Sequence, residues 1–163
     1  MDLTQLTDAE LEGLRKMPKH VVNAKARTVQ KDGTDQRNYN IVSDIGNQEF
    51  ILYLRQNLRP GMEDDFSCGL RIVRRNGLSL TLCRYNGPSH RHRNHLEGNE
   101  FRFKAHIHQA TGRYIDADLQ PEGYAIDTDR FRTLKGALHC LVQDCAISGL
   151  DTEADAPTLF EMP

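Results

Sequence analysis

The feature that most limits what this chain can fold into is a run of strict two-residue alternation, interrupted once. Phe66, Cys68, Leu70 and Ile72 are separated by small or polar residues, and after Asn76-Gly77 the pattern resumes at Leu78, Leu80 and Leu82. Successive side chains of a strand point to opposite faces, so such a run buries one face of a sheet and leaves the other to different chemistry. Asn-Gly suits the positive φ of both central residues in a type I′ turn, which pairs Leu70–Arg74 with Leu78–Tyr85 as a hairpin. A second hairpin is expected from Tyr39–Asp44 and Glu49–Gln56 around Asp44-Ile45-Gly46-Asn47. Phe101–His108 predicts a fifth strand, with Phe103, Ala105 and Ile107 inward and Arg102, Lys104, His106 and His108 together on an exposed face.

Helix signals flank these strands. Thr7 and Glu10 form a capping box ahead of Leu11 and Leu14, and Pro18 ends that helix near Met17 because the residue before a proline avoids helical geometry. Thr133 is an N-cap for a second helix with Leu134, Ala137, Leu138, Leu141, Val142 and Cys145 at helical spacing. The stretches 30–37, 58–65 and 86–99 read as loops. The expected fold is α+β: an antiparallel sheet of about five strands packed by a C-terminal helix, with a short N-terminal helix. A length of 163 residues with 38% hydrophobic content suits one core, so residues 1–149 are expected as a single domain and 150–163 as an acidic flexible tail. Met1-Asp2-Leu3-Thr4 lacks the basic and apolar regions of a signal peptide and no apolar run is long, so the expectation is a cytoplasmic protein without a membrane segment. Cys68, Cys83, Cys140 and Cys145 form no Cys-x-x-Cys pair and are expected as buried free thiols.

The formal net charge of −2 conceals an uneven distribution. From Arg71 to Arg113 there are nine Lys and Arg against only Glu97 and Glu100, so this window carries +7. It also holds five of the seven histidines: His90, His92, His95, His106 and His108. A field of this kind attracts phosphates, whereas a plain solvated basic face is the bland alternative. Metal-independent cleavage of RNA needs a base for the 2′-hydroxyl, an acid for the leaving oxygen and a cation for the charge on phosphate. Histidine supplies the first two because its pKa of about 6.5 keeps both forms accessible at neutral pH. His106 and His108 are the candidate pair and His90 and His92 the competing one. Arg84, Arg91, Arg93, Arg102 and Lys104 are candidate nucleic-acid contacts, with Tyr85 orienting or stacking.

A metal site is the rival chemistry, since two His-x-His pairs offer nitrogen ligands. The surrounding bases repel a dication and neither pair contains a carboxylate, so the reading assigns no metal ligand and no cofactor. The sequence has no Walker A loop, no Gly-x-Ser-x-Gly elbow, no His-Glu-x-x-His helix and no Rossmann turn, which removes the nucleotide-hydrolase, α/β-hydrolase and dehydrogenase readings.

Met17-Pro18-Lys19, Leu54-Arg55-Gln56-Asn57, Phe66-Ser67-Cys68-Gly69-Leu70, Arg84-Tyr85-Asn86-Gly87, His106-Ile107-His108 and Gly136-Ala137-Leu138-His139-Cys140-Leu141 resemble an uncharacterised family of small bacterial and prophage proteins. The loop His90-Arg91-His92, the strand after it and Phe131-Arg132-Thr133-Leu134 are similar, more distantly, to the TumE-like toxins of toxin-antitoxin modules. Ser89 stands where that pattern has an acidic residue. The resemblance implies a ribonuclease toxin of mobile-element origin, neutralised by a cognate antitoxin, with His90 and His92 as important as His106 and His108. The alternative is a non-catalytic phage or mobile-element anti-defence protein that binds a nucleic acid or a host protein–nucleic acid machine through the same basic face.

Overall fold

The computed structural model describes residues 1–152. Helix α1 (Asp8–Lys16) carries the expected capping box: Thr7 Oγ1 accepts from the Glu10 amide, and the Thr7 amide donates to Glu10 Oε2 at 2.8 Å. Eight strands follow. They are β1 (Lys19–Val21), β2 (Val29–Lys31), β3 (Thr34–Ser43), β4 (Gln48–Asn57), β5 (Phe66–Val73), β6 (Ser79–Asn86), β7 (Arg91–Arg93) and β8 (Glu100–Arg102). Then come β9 (His106–Gln109), α2 (Gly112–Asp116), β10 (Tyr124–Asp127), α3 (Leu134–Asp144) and β11 (Ile147–Ser148).

The fold is α+β, as expected, but richer in strands. Nine of them form one sheet in the order β10-β9-β6-β5-β4-β3-β1-β11, with β2 also paired to β3, while β7 and β8 form a separate hairpin. Every pairing is antiparallel except β1 with β11, so the sheet is mixed. The helices α1 and α3 lie against one face over β5 and β6. There they bury Leu11, Leu14, Ala137 and Leu141 against Phe50, Leu52, Leu70, Ile72 and Leu82. Lys19 is buried at the edge of this layer. Its ammonium donates to the carbonyls of Arg15, Met17 and Cys145, tying the C-terminal ends of α1 and α3 together. All four cysteines are free and buried, as expected.

Three local expectations are corrected. The turn at Asn76-Gly77 is not type I′: only Gly77 has positive φ, and its amide donates to the Arg74 carbonyl, so glycine closes a turn over Arg74–Gly77 instead. The two-residue hairpin turn with both φ positive is Asp32 (52°) and Gly33 (76°), joining β2 to β3 inside the stretch expected as a loop. Asp-Gly is itself a signal for that turn, masked in the sequence by the polarity of its neighbours.

Residues 101–108 are not one strand. The backbone breaks at Phe103, whose φ is 51°, so β8 and β9 belong to different sheets and the alternation changes phase between them. Phe103, expected inside, is 65% exposed, whereas His106 and His108, expected outside, are 0% and 2% exposed. Arg102 and Lys104 are exposed as expected but do not share a face with the two histidines.

Of the acidic tail expected at 150–163, residues 153–163 lie outside the described residues. Leu150 packs against the core and Thr152 Oγ1 meets His139 Nδ1 at 2.9 Å. No described helix is long and apolar enough to cross a membrane.

Candidate functional site

The face of the sheet away from α1 and α3 carries the site. Antiparallel partners in register share a face, and β6 pairs with β9 through Arg84 opposite His108 and Asn86 opposite His106. The β7–β8 hairpin folds over this row from the other side. His92 and Phe101, opposite each other in the hairpin, turn inward, which sends Arg91, Arg93 and Arg102 outward. The result is a cluster of four imidazoles. The ring of His92 lies 5.5 Å from His106 and 4.7 Å from His108, His106 lies 5.0 Å from His108, and His90 lies 4.9 Å from His106. Phe101 closes one side, 5.2 Å from His106 and 5.3 Å from His92.

Hydrogen bonds assign the ring protons. His106 Nδ1 donates to the Lys104 carbonyl and His108 Nδ1 to the Glu122 carbonyl, each at 2.8 Å. His92 Nε2 donates to Asn94 Oδ1 at 2.9 Å. The identity of that oxygen is settled by the Asn94 amide group, which donates to the carbonyl of Ala125 and to Asn99 Oδ1, while Oδ1 also accepts from the Ala125 amide. Carbonyl oxygens only accept, so in the neutral tautomers it is the other ring nitrogens, His92 Nδ1, His106 Nε2 and His108 Nε2, that offer lone pairs. His106 Nε2 is 3.5 Å from Asn86 Nδ2. His108 Nε2, Asn86 Oδ1 and Arg84 Nε are buried with no hydrogen-bond partner among the described residues.

Burial is the largest influence on the titration of His106, His108 and His90. It disfavours the imidazolium and, helped by the positive charge of Arg84 and of neighbouring histidines, holds His106 at a pKa of about 4 and His108 at about 2. His90, at the mouth, is also held below the ordinary histidine value, by burial first and then by His92 and Arg84. Arg84 is half-buried, with Glu122 3.6 Å away.

The expected residues therefore divide. His90, His92, His106, His108 and Arg84 converge. Arg91, Arg93, Arg102 and Lys104 are exposed and lie outside the cluster. Tyr85 leaves the site altogether: as the neighbour of Arg84 in β6 it points to the opposite face, stacks near Phe131 and donates to Asp144 Oδ2. The alternation of β6 already required this, since Arg84 and Tyr85 cannot share a face.

Asn86, Asn94 and Glu122 were missed by the sequence reading. Asn94 lies inside the histidine-rich loop and is 1% exposed, a burial that polar composition does not foretell. The charge count of the window, which already subtracts Glu97 and Glu100, still overstated its field, because Lys104 pairs with Asp127 and Arg84 lies 3.6 Å from Glu122, two carboxylates outside that window. No family model, curated protein or solved structure matches this chain, so the chemistry of the site rests on its own geometry.

Proposed function

We propose that this protein binds RNA across the cationic outer face of the β7–β8 hairpin and cleaves its backbone at the histidine cluster. The observation that carries this reading is the set of buried, unpartnered atoms on one patch of the sheet: Arg84 Nε as a donor, with Asn86 Oδ1 and His108 Nε2 as acceptors. Buried polar atoms are satisfied in folded proteins, and atoms that are not point to a ligand. A phosphate oxygen satisfies the donor and a ribose 2′-hydroxyl satisfies an acceptor, so RNA meets both needs at once.

The roles differ from those expected for a pair of acid and base histidines. At neutral pH His106 and His108 are both neutral, so neither donates a proton as an imidazolium. His90 is at the mouth and unprotonated, and takes the proton of the attacking 2′-hydroxyl. The 2′-oxygen bonds to phosphorus, the bond to the 5′-oxygen breaks, and that oxygen takes a proton from a water whose hydroxide is neutralised by the proton His90 took. Arg84 stabilises the charge that builds on the phosphate oxygens. The resemblance to TumE-like toxins supports a toxin of mobile-element origin held in check by a cognate partner.

Labelled single-stranded RNA and purified protein test the reading. His90→Ala is expected to slow cleavage by about 10²–10⁴-fold with affinity kept. Arg91→Ala with Arg102→Ala is expected to weaken binding and to flatten its salt dependence, each lost phosphate contact lowering the slope by about one. Salt-dependent binding with no cleavage would favour the anti-defence binding protein.

A further inference from the structure

We infer that His92, His106 and His108 are the three protein ligands of one divalent transition-metal ion of the zinc class. This deepens the RNA reading by naming a cofactor for the same cluster, yet it stands on geometry that needs no substrate. One nitrogen from each of the three rings lies within 4.8 Å of the other two. Bonds of about 2.0–2.1 Å to zinc place tetrahedral ligand nitrogens roughly 3.3 Å apart, so the rings close on an ion by modest side-chain rotation.

The hydrogen bonds around the rings are those a metal site requires. A ligating histidine donates its remote N–H to a carbonyl or another acceptor, which fixes the tautomer and aims the lone pair. All three rings do so, to the Lys104 carbonyl, the Glu122 carbonyl and Asn94 Oδ1. The lone pair of His108 meets no protein donor: its Nε2 is buried and without a partner among the described residues, on a side chain whose residue is 2% exposed. Three neutral imidazoles suit zinc or cobalt better than magnesium or calcium, which take oxygen ligands. A three-histidine set leaves a coordination position for water or a phosphate oxygen.

The objection from the sequence was repulsion by nearby bases. In the fold, Arg91, Arg93 and Arg102 sit on the outer face of the hairpin, Arg102 and Lys104 have carboxylate partners, and the buried carboxylate of Glu122 lies beside Arg84. The cations ring the site without occupying it, in an arrangement that serves a metal-bound phosphate.

Chelator-stripped, untagged protein titrated with Co²⁺ and Zn²⁺ tests the assignment. The expected results are one ion per chain and cobalt d–d absorption of a nitrogen-rich, low-coordinate site. His92→Ala and His108→Gln should each weaken binding by more than the ~10–100-fold that loss of a supporting hydrogen bond brings. His95→Ala, outside the cluster, should leave binding unchanged. Nitrogen NMR of the wild-type imidazoles needs no variant to fold: zinc should shift His92, His106 and His108 together. Substoichiometric metal, unshifted imidazoles, or full affinity in both variants would overturn the site. Stoichiometric metal without RNA cleavage would support the site and remove the RNA reading, whereas cleavage by protein that binds no metal would do the reverse.

Discussion

At their best-covered points the two faces of the main sheet hide residues from water equally well, to opposite ends. On one, Leu52, Leu70 and Ile72 are 0% exposed beneath α1 and α3; on the other, His106 is 0% exposed and His108 2% beneath the β7–β8 hairpin. The helix side buries apolar area, which stabilises the fold roughly in proportion to the area removed from water. The histidine side buries polar atoms and leaves three of them on β6 and β9 without partners, which costs stability wherever no ligand compensates. Depth alone therefore does not separate core from site. The separation lies in whether the buried atoms have their needs met.

The largest effect expected from this contrast is on the helix side. Leu70→Ala, in the middle of β5, should cost about 2–5 kcal/mol in denaturant unfolding, the range for a leucine truncated in a close-packed interior. A loss below about 1 kcal/mol would break the comparison, by showing that this face is not where stability resides.

On the histidine side the sharper probe is pH, applied to metal-free protein. His106 and His108 hold folded values of about 4 and about 2, below an unfolded value of about 6.5. Between those limits the unfolded chain binds more protons than the folded one, so stability is complete above pH ~6.5 and falls as pH drops toward the folded values. Linkage gives a loss of about 2 kcal/mol for each histidine by pH 5. Thermal or denaturant unfolding from pH 7.5 to 5 checks this, and His108→Gln should remove about half of the dependence. A flat profile in the parent protein would mean that these rings titrate normally and that the face is open to water.

The smallest effect concerns the break that separates the two sheets. Phe103 is 65% exposed in the left-handed region, so its ring contributes little burial while its backbone is strained. That conformation costs a non-glycine residue about 1–2 kcal/mol, and glycine's extra freedom in the unfolded chain takes back about 0.4–1 kcal/mol. Phe103→Gly should therefore stabilise slightly, by under about 1 kcal/mol. A clear destabilisation would show that the ring secures the hairpin over the histidines.

By itself the sequence determined what short-range physics decides. The capping box at Thr7 and Glu10, the Thr133 cap of α3, the burial of the cysteines and the alternating faces of β4 and β5 all depend on contacts or periodicities spanning a few residues. It also marked the histidines as the unusual residues. Only the tertiary structure decided which way they point. Their face follows from the pairing of β9 with β6, from the backbone break at Phe103, and from the hairpin folding over that face. Asn94 holds the hairpin there through hydrogen bonds to Ala125, 31 residues along the chain. Such contacts leave no periodic trace because neither partner's neighbours report the other. Alternation tells which residues of a strand share a side, but what comes to cover that side is settled only when distant segments meet.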